Sequence, residues 1–225
     1  MNTVSVAIDG PAGAGKSTIA RQLASQLGFR YVDTGAIYRT VAYFMDLWGV
    51  SAKDADGVNR YIDELTVGIE YDEDGLQHML MHGMDVTGDI RTQDISQQAS
   101  LISAHACVRE ILLDMQRDLA KQYNVIMDGR DIGTVVLPKA TVKIFLTASA
   151  EVRAKRRCEE LLAKGQKAKY ETVLKEIQQR DYQDTHREIA PLKMARDSIK
   201  VDTSEMNVDE VVAAILKIVQ EKAGL

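Results

Sequence analysis

A glycine-rich stretch near the start of the chain constrains its fold more than any other feature of the sequence. Residues 10–17 read GPAGAGKS and match the pattern G-x-x-x-x-G-K-[ST]. They lie between an apolar run at residues 4–8 and a helical pattern, so a chance glycine turn is disfavoured. Backbone N–H groups of the loop and the positive end of the next helix would surround phosphate oxygens. The stretch therefore predicts a site for a triphosphate.

The last residues of this loop carry specific predictions. Lys16 would reach the β and γ phosphates of ATP, and the Ser17 hydroxyl would bind Mg²⁺. Asp33 and Asp128 each follow an apolar run, and the sequence leaves open which carboxylate assists the metal. We expect Ser17 to be the metal ligand and the nucleotide to be held by Gly10, Pro11, Ala12, Gly13, Ala14, Gly15, Lys16, Ser17 and Thr18.

Composition bounds the class of protein and its surroundings. A chain of 225 residues with 45% hydrophobic and 27% charged residues is ordinary for a globular protein of one domain with an insertion. Cys107 and Cys158 lie far apart and form no C-x-x-C pattern, which favours a reducing, cytoplasmic location. The net charge of -5 disfavours nucleic-acid binding. We also expect no secretion signal, no membrane span and a monomer.

Strand and helix patterns alternate along most of the chain. This alternation predicts an α/β fold of the P-loop NTPase type, a doubly wound parallel sheet with helices on both faces. The predicted strands are residues 4–8, 29–32, 125–128, 141–146 and 199–201. The predicted helices are residues 16–27, 34–49, 95–122, 149–164, 169–188 and 208–222.

The pattern changes after residue 50, where Asp, Gly and Glu become frequent. Residues 65–71 and 76–82, joined by a glycine-containing turn, predict a β-hairpin, which cannot lie inside a parallel β-α-β core. We therefore expect a core of residues 1–50 and 107–225 with a small inserted lobe at about residues 51–106. A lid is predicted at about residues 153–168, where residues 164–167 form a flexible turn.

Two groups of charged residues are candidates for binding anions. Arg153, Lys155, Arg156 and Arg157 crowd one helical turn and would stabilise a phosphoryl transition state, unless they form a solvated face neutralised by nearby glutamates. Further on, one helical face carries three charges at the spacing i, i+4 and i+7, which fits either a second ligand site or a surface salt-bridge ladder. This second group is Arg180, Asp184 and Arg187. The four histidines show no metal-ligand spacing, so we expect surface or structural roles for them.

The chain resembles the bacterial cytidylate (CMP) kinases, within the nucleoside monophosphate kinases. Four stretches in the family's order carry the resemblance: residues 8–17 (IDGPAGAGKS), 33–39 (DTGAIYR), 128–135 (DGRDIGTV) and 180–187 (RDYQDTHR). The inserted lobe also resembles the extra segment that separates these kinases from adenylate kinases. The resemblance implies a substrate site for CMP or dCMP beside the ATP site, and an inserted lobe that binds the monophosphate.

The resemblance also implies roles for individual residues. The cytosine base would lie among Thr34, Ser100, Arg109 and Arg187. The ribose would contact Asp131, Arg180 and Asp184, and the acceptor phosphate would contact Arg39 and Arg130. Thr34 stands where many members have serine, and Gln183 stands where some have arginine. We predict that the catalytic residues are Lys16, Arg130, Arg153 and Arg157.

The sequence therefore predicts an ATP-dependent kinase that transfers the γ-phosphoryl group to CMP or dCMP in pyrimidine metabolism. A kinase of another small acceptor, such as UMP or a non-nucleotide metabolite, is the nearest alternative. A GTPase-like switch would be expected to carry an N-K-x-D stretch, which this sequence lacks. A P-loop protein acting on DNA is disfavoured by the net negative charge.

Overall fold

A computed structural model describes residues 3–163 and 165–225. In chain order, the first half contains β1 (Ser5–Asp9), α1 (Lys16–Leu27), β2 (Arg30–Asp33), α2 (Thr34–Leu47), α3 (Ala55–Tyr61), β3 (Val67–Tyr71), β4 (Gln77–Met81), β5 (Met84–Asp85) and α4 (Gln93–Ile102). The second half contains α5 (Ala106–Gln122), β6 (Val125–Gly129), β7 (Val142–Thr147), α6 (Ala150–Ala163), α7 (Tyr170–His186), β8 (Ile199–Asp202) and α8 (Val208–Ala223). Short 3₁₀ helices at Ile62–Glu64 and Asp89–Arg91 and a π-helix at Ile132–Val136 complete the described elements.

The five-stranded main sheet confirms the predicted doubly wound fold. Its strand order is β2-β6-β1-β7-β8, and all its neighbouring strands are parallel. Side chains alternate across the central strand: Val6 and Ile8 join the apolar cluster formed with α1 and α8, whereas Ala7 joins the cluster on the opposite face. Burial on both faces is what an apolar central strand requires. Helices therefore cover both faces of the sheet.

The ends of two helices follow from local sequence. The carboxylate of Asp33 accepts a 2.8 Å hydrogen bond from the Ala36 N–H and caps α2. Gly28 ends α1 in the left-handed conformation, with φ of 66°. These two positions place the C-terminal end of β2 directly before a helix N-terminus.

A second sheet contains the predicted hairpin. Strands β3 and β4 pair in antiparallel fashion, with Val67 opposite Met81 and Tyr71 opposite Gln77. The short strand β5 extends this sheet and was not predicted. Met79 is fully buried in the same apolar cluster that covers one face of the main sheet. The small sheet is thus packed directly against the core.

The single helix predicted for residues 95–122 is wrong, because the structure has two helices there. After α4, the Ala104 N–H bonds to the Leu101 carbonyl and the His105 N–H bonds to the Ile102 carbonyl, which closes tight turns instead of a continuing helix. The His105 ring bonds to the Ala52 carbonyl oxygen at 2.9 Å and holds the break in place. At the other boundary, α6 ends at Ala163, and the predicted helix and lid residue Lys164 lies outside the described residues.

Within the described part of the chain, no helix has both the length and the apolar character needed to span a membrane. Cys107 and Cys158 are free thiols.

Candidate active site

A cavity of about 430 Å³ opens at the C-terminal ends of β1, β2 and β6. The register brings these ends level, since Asp128 of β6 lies opposite Asp33 of β2 and Ile8 of β1. This is the edge at which open parallel sheets bind ligands. Predicted site residues that line the cavity are Ala12, Gly13, Gly15, Lys16, Ser17, Thr18, Thr34, Arg39, Ser100, Arg109, Arg130, Asp131, Arg180, Asp184 and Arg187.

The phosphate-binding loop joins β1 to α1. Gly10 has a φ of 154°, and a Cβ there would lie 1.9 Å from the Leu146 carbonyl oxygen of β7. The predicted loop residues Gly10, Pro11 and Ala14 are buried and do not line the cavity. Lys16 Nζ donates a 2.8 Å hydrogen bond to the Pro11 carbonyl oxygen. The loop therefore presents its backbone and the Lys16 amine to one ligand.

Electrostatics around Lys16 favours an added anion. Burial lowers the pKa of Lys16, and the nearby Arg130 cation lowers it further, although Asp128 and Asp184 oppose this. A bound phosphate would supply the missing negative charge. The surroundings of Lys16 therefore favour an anionic ligand.

The two candidate metal-assisting carboxylates, Asp128 and Asp33, have different hydrogen-bond partners in the structure. Asp128 Oδ2 accepts a 2.9 Å hydrogen bond from Ser17 Oγ, and Asp128 Oδ1 accepts one of 2.9 Å from the Tyr31 hydroxyl. Asp33 is used differently, because one oxygen caps α2 and the other accepts a 3.0 Å bond from Arg39 Nη2. Asp128 therefore lies beside Ser17, whereas the Asp33 carboxylate is bonded to α2 and Arg39.

The donor set beside the loop fits Mg²⁺. Ser17 and Asp128 offer oxygen atoms, which Mg²⁺ prefers, and burial together with the Asp33 charge raises the pKa of Asp128. No group of three His, Cys, Asp or Glu side chains in residues 3–163 and 165–225 forms a protein-only metal cage.

Asp184 is the carboxylate in the group of charged residues predicted on α7, and it lines the same cavity. Its Oδ2 accepts a 2.6 Å hydrogen bond from Arg130 Nε, and its Oδ1 accepts a 3.4 Å bond from Ser100 Oγ. Burial alone would raise the pKa of Asp184, but Arg130 and neighbouring cations hold it below its usual range. Because Asp184 is 3% exposed and pairs with Arg130, the surface salt-bridge ladder is the wrong alternative.

A second buried carboxylate, Asp131, binds two arginines. It forms ion pairs with Arg109 and, at 3.3 Å, with Arg187. Arg187 Nη1 also donates a 2.8 Å hydrogen bond to Ser103 Oγ. The guanidinium of Arg109 lies 5.7 Å from the centre of the Tyr38 ring. Ser103 and Tyr38 line the cavity but were missed from the sequence.

Thr34 lies where β2 passes into α2. It is 3% exposed, and its Oγ1 donates a 2.6 Å hydrogen bond to the Asp128 carbonyl oxygen. The hydroxyl proton is therefore donated to β6, which leaves the oxygen of this cavity-lining residue free to accept.

Two arginines of the cavity have unsatisfied donors. Among the described residues, Arg39 Nε and Arg180 Nε are buried and have no hydrogen-bond partner. Burial, reinforced by the nearby Arg130 cation, lowers the pKa of Arg180 to about 10. A buried donor without a partner costs roughly 1–3 kcal/mol, so this wall favours a ligand that accepts hydrogen bonds.

The arginines of the predicted cation cluster on α6 do not act as one group, because each bonds to a different part of the protein. Arg153 is 4% exposed and forms two hydrogen bonds with the Asp181 carboxylate, of 3.0 and 2.6 Å. It also donates to the carbonyl oxygens of Ala12 and Ala148, at 2.9 and 3.0 Å. The guanidinium is thus occupied by protein groups and braces the phosphate-binding loop.

The other α6 cations point elsewhere. Arg156 donates to the carbonyl oxygens of Thr203 and Met206, so it ties α6 to the segment after β8. Arg157 forms a 2.8 Å ion pair with Glu160 on the exposed side of the helix. Neither arginine lines the cavity, although Glu160 does. The catalytic roles of Arg153 and Arg157 and the lid at residues 153–168 therefore stay predictions.

Asp9 is a further buried residue that sequence reasoning missed. Its carboxylate accepts hydrogen bonds of 2.7 Å from both the Ile132 and the Gly133 N–H groups, at the start of the π-helix that follows Asp131. Burial raises the pKa of Asp9 to about 6. An acidic residue at the end of the first strand was the available signal, but its partners lie more than 120 residues away.

Comparison with known proteins places the chain in a family. The family model for cytidylate kinase matches residues 6–221. The cytidylate kinase of Carboxydothermus hydrogenoformans is 49% identical over 217 residues, which cover 96% of this chain and 97% of that protein. The cytidylate kinase of Bacillus licheniformis is 46% identical over 218 residues, with 97% and 96% covered.

A solved structure supports the fold alone. An uncharacterized protein from Eubacterium ventriosum superimposes with a TM-score of 0.53 at 14% identity, covering 97% of this chain and 99% of that chain. Since the family model spans nearly all of the sequence and the relatives match over almost their whole length, the chain belongs to the cytidylate kinase family.

Proposed function

We propose that this enzyme transfers the γ-phosphoryl group of ATP to CMP or dCMP, giving ADP and CDP or dCDP in pyrimidine metabolism. One observation carries the proposal: the phosphate-binding loop and the unpaired donors of Arg39 and Arg180 share a single cavity. A cavity with a triphosphate loop on one wall and buried arginines on the other suits two phosphorylated ligands. The names of the relatives identify the acceptor class.

The donor half of the site is the Walker A loop of residues 10–17. Its backbone N–H groups would hold the β phosphate, and Lys16 would exchange its bond with the Pro11 carbonyl for the β and γ oxygens. Ser17 and Asp128 would hold Mg²⁺ with the phosphates. When bound, Mg²⁺ neutralises charge on the phosphate oxygens.

The acceptor half is organised by carboxylates that hold arginines. Arg39 and Arg130 would bind the phosphate of the monophosphate, with Asp33 and Asp184 orienting them. The ribose would contact Asp131, Arg180 and Asp184, which line the same cavity. The acceptor is itself an anionic phosphate oxygen, so no strong general base is needed. Alignment of donor and acceptor and cationic stabilisation of the transferring group would then supply the rate enhancement.

Cytosine would be recognised at the Asp131 end of the cavity. Arg109 and Arg187 offer N–H donors, which match the N3 and O2 acceptors of cytosine. The oxygens of Thr34 and Ser100 offer acceptors for the exocyclic amine. Uracil has a carbonyl in place of that amine, so this set of groups favours CMP over UMP.

An acceptor panel tests the proposal. Purified enzyme with Mg-ATP is given CMP, dCMP, UMP and AMP, and ADP formation is followed; the highest kcat/KM is expected with CMP or dCMP. The Lys16→Ala variant is the control that assigns activity to this cavity, and it should lose transfer while its circular dichroism spectrum is unchanged. Preference for UMP or a non-nucleotide acceptor, or phosphate release without transfer, would contradict the proposal.

We place the reaction in the cytoplasm and assign it to a monomer. The free thiols of Cys107 and Cys158 support a reducing compartment. The residues assigned to the acceptor and most of those assigned to ATP line one cavity of a single chain, which supports a monomer. Sedimentation of the protein with and without nucleotides measures the oligomeric state.

A further inference from the structure

Strand β2 forms one edge of the main sheet, and the small sheet covers that edge. Arg30 N donates to the Asn124 carbonyl oxygen on the β6 side. Because backbone groups alternate in direction along a strand, those of Tyr31 and Asp33 face the opposite, open side. Among the described residues no strand pairs with β2 there. Such edge groups need partners, and here side chains provide them.

The side-chain amide of Gln77 makes the two hydrogen bonds to the Asp33 backbone that a neighbouring strand would otherwise make. Gln77 Oε1 accepts a 2.7 Å hydrogen bond from the Asp33 N–H, and Gln77 Nε2 donates a 3.3 Å bond to the Asp33 carbonyl oxygen. The orientation of the amide follows from chemistry, because the Asp33 N–H can only donate. Two residues earlier, the Tyr71 hydroxyl donates a 3.1 Å bond to the Tyr31 carbonyl oxygen. Both covering side chains belong to the small sheet.

The position of the Asp33 backbone affects two residues that line the cavity. Its carboxylate caps α2 and holds Arg39 at 3.0 Å, and the next residue, Thr34, is bonded to the Asp128 carbonyl oxygen. Arg39 and Thr34 both line the cavity on the acceptor side. A shift of the Asp33 backbone would therefore move the arginine and the hydroxyl together, while the phosphate-binding loop is held by other contacts.

We infer that Gln77 is a positioning residue for the acceptor nucleotide, through which the small sheet fixes Asp33, Arg39 and Thr34. This inference rests on the proposed function for the identity of the acceptor. The inference depends on the two hydrogen bonds from Gln77, which would hold the end of β2 in place relative to α2. Gln77 itself does not line the cavity and would not touch either substrate.

Steady-state kinetics of Gln77→Ala tests the inference, with the wild type's best acceptor from the panel as substrate. We expect KM for the acceptor to rise roughly tenfold, as the loss of two hydrogen bonds allows, and KM for ATP to stay within about twofold. Gln98→Ala is the matched control, because Gln98 also bonds between two elements, at 3.0 Å to Asp46, but has no link to Asp33. Equal changes in both KM values, or equal effects of the two variants, would overturn the inference.

Hydrogen exchange of the Asp33 amide gives a readout that does not depend on the acceptor. This amide should exchange about tenfold faster or more in Gln77→Ala than in the wild type, whereas Gln98→Ala should leave it unchanged. If Gln77→Ala does not fold, Gln77→Glu serves instead, since it keeps the acceptor for the Asp33 N–H but sets a carboxylate oxygen against the Asp33 carbonyl. An unchanged acceptor KM in that variant would likewise overturn the inference. Failure of the proposed function would show only in the acceptor panel, so the two failures are distinguishable.

Discussion

Arg153 Nη2 lies 2.6 Å from Asp181 Oδ2, and the same guanidinium donates a 2.9 Å hydrogen bond to the Ala12 carbonyl oxygen. One side chain of α6 thereby joins α7 to the phosphate-binding loop. Because α7 also carries Arg180 and Asp184, the pair links the donor wall of the cavity to the acceptor wall. Arg153 therefore has a structural role in addition to its predicted catalytic role.

Replacement of Arg153 is expected to cost more stability than replacement of its neighbour Arg157. Arg153→Ala leaves Asp181 and two carbonyl groups without their partner, so we expect the free energy of unfolding to fall by about 2–3 kcal/mol. Arg157→Ala removes an exposed pair and should cost less than about 1 kcal/mol. Urea denaturation of both variants measures the difference. Similar losses would show that the buried network is not what stabilises this region.

Asp184→Ala is expected to impair the acceptor site selectively. The change releases Arg130 from its 2.6 Å bond and removes the partner of Ser100, both on the acceptor wall. KM for CMP should rise at least roughly tenfold, while KM for ATP changes by less than about twofold. Initial rates with each substrate varied in turn provide the measurement. If both constants rose equally, Asp184 would be a general stabilising residue.

Asp128 and Asp33 should differ in their effect on the metal. Asp128→Asn removes charge beside Ser17, so the Mg²⁺ concentration for half-maximal activity should rise about tenfold, as for other groups that orient metal ligands. Asp33→Asn weakens the contact with Arg39 and should raise KM for the acceptor instead. Calorimetry of ADP with and without Mg²⁺ separates the two effects without turnover. A larger metal effect from Asp33→Asn would reverse the assignment.

The buried carboxyl of Asp9 predicts a pH dependence of stability. Its pKa is raised from 3.8 to about 6, so the folded protein keeps the proton to higher pH than the unfolded chain. The stability contributed by this group is complete below pH 4 and is lost as pH rises through 6. The free energy of unfolding of the wild type relative to Asp9→Asn should therefore fall by about 2–3 kcal/mol between pH 4 and 7. Denaturant titrations at several pH values check this, and a difference that rises with pH would contradict it.

Local sequence patterns were enough to predict most of the fold. Helix periodicity and end signals depend on near neighbours, and the helices predicted at residues 16–27 and 34–49 are present as α1 and α2. The break between α4 and α5 could not be found in this way. It depends on the contact of His105 with the Ala52 carbonyl, which joins residues 53 positions apart.

The cavity residues could be predicted where a motif or a family resemblance pointed to them. The bonding partners of individual side chains could not be predicted where they depend on the tertiary fold. Helical spacing placed Arg153 and Arg156 within one turn, but it could not show that each would be committed to backbone carbonyls of different segments. Tyr31 and Asp9 were missed for a related reason. Their partners on β6 and after it become neighbours only through the parallel register of the sheet.

The close contact between Gly10 and β7 limits which residue can occupy position 10. An alanine at this position would meet the Leu146 carbonyl oxygen, a backbone atom that no rearrangement of side chains can move aside. Gly15 has open space around it, so its constraint is the left-handed backbone alone. The first glycine of the loop is therefore fixed by a strand that lies more than 130 residues further along the chain.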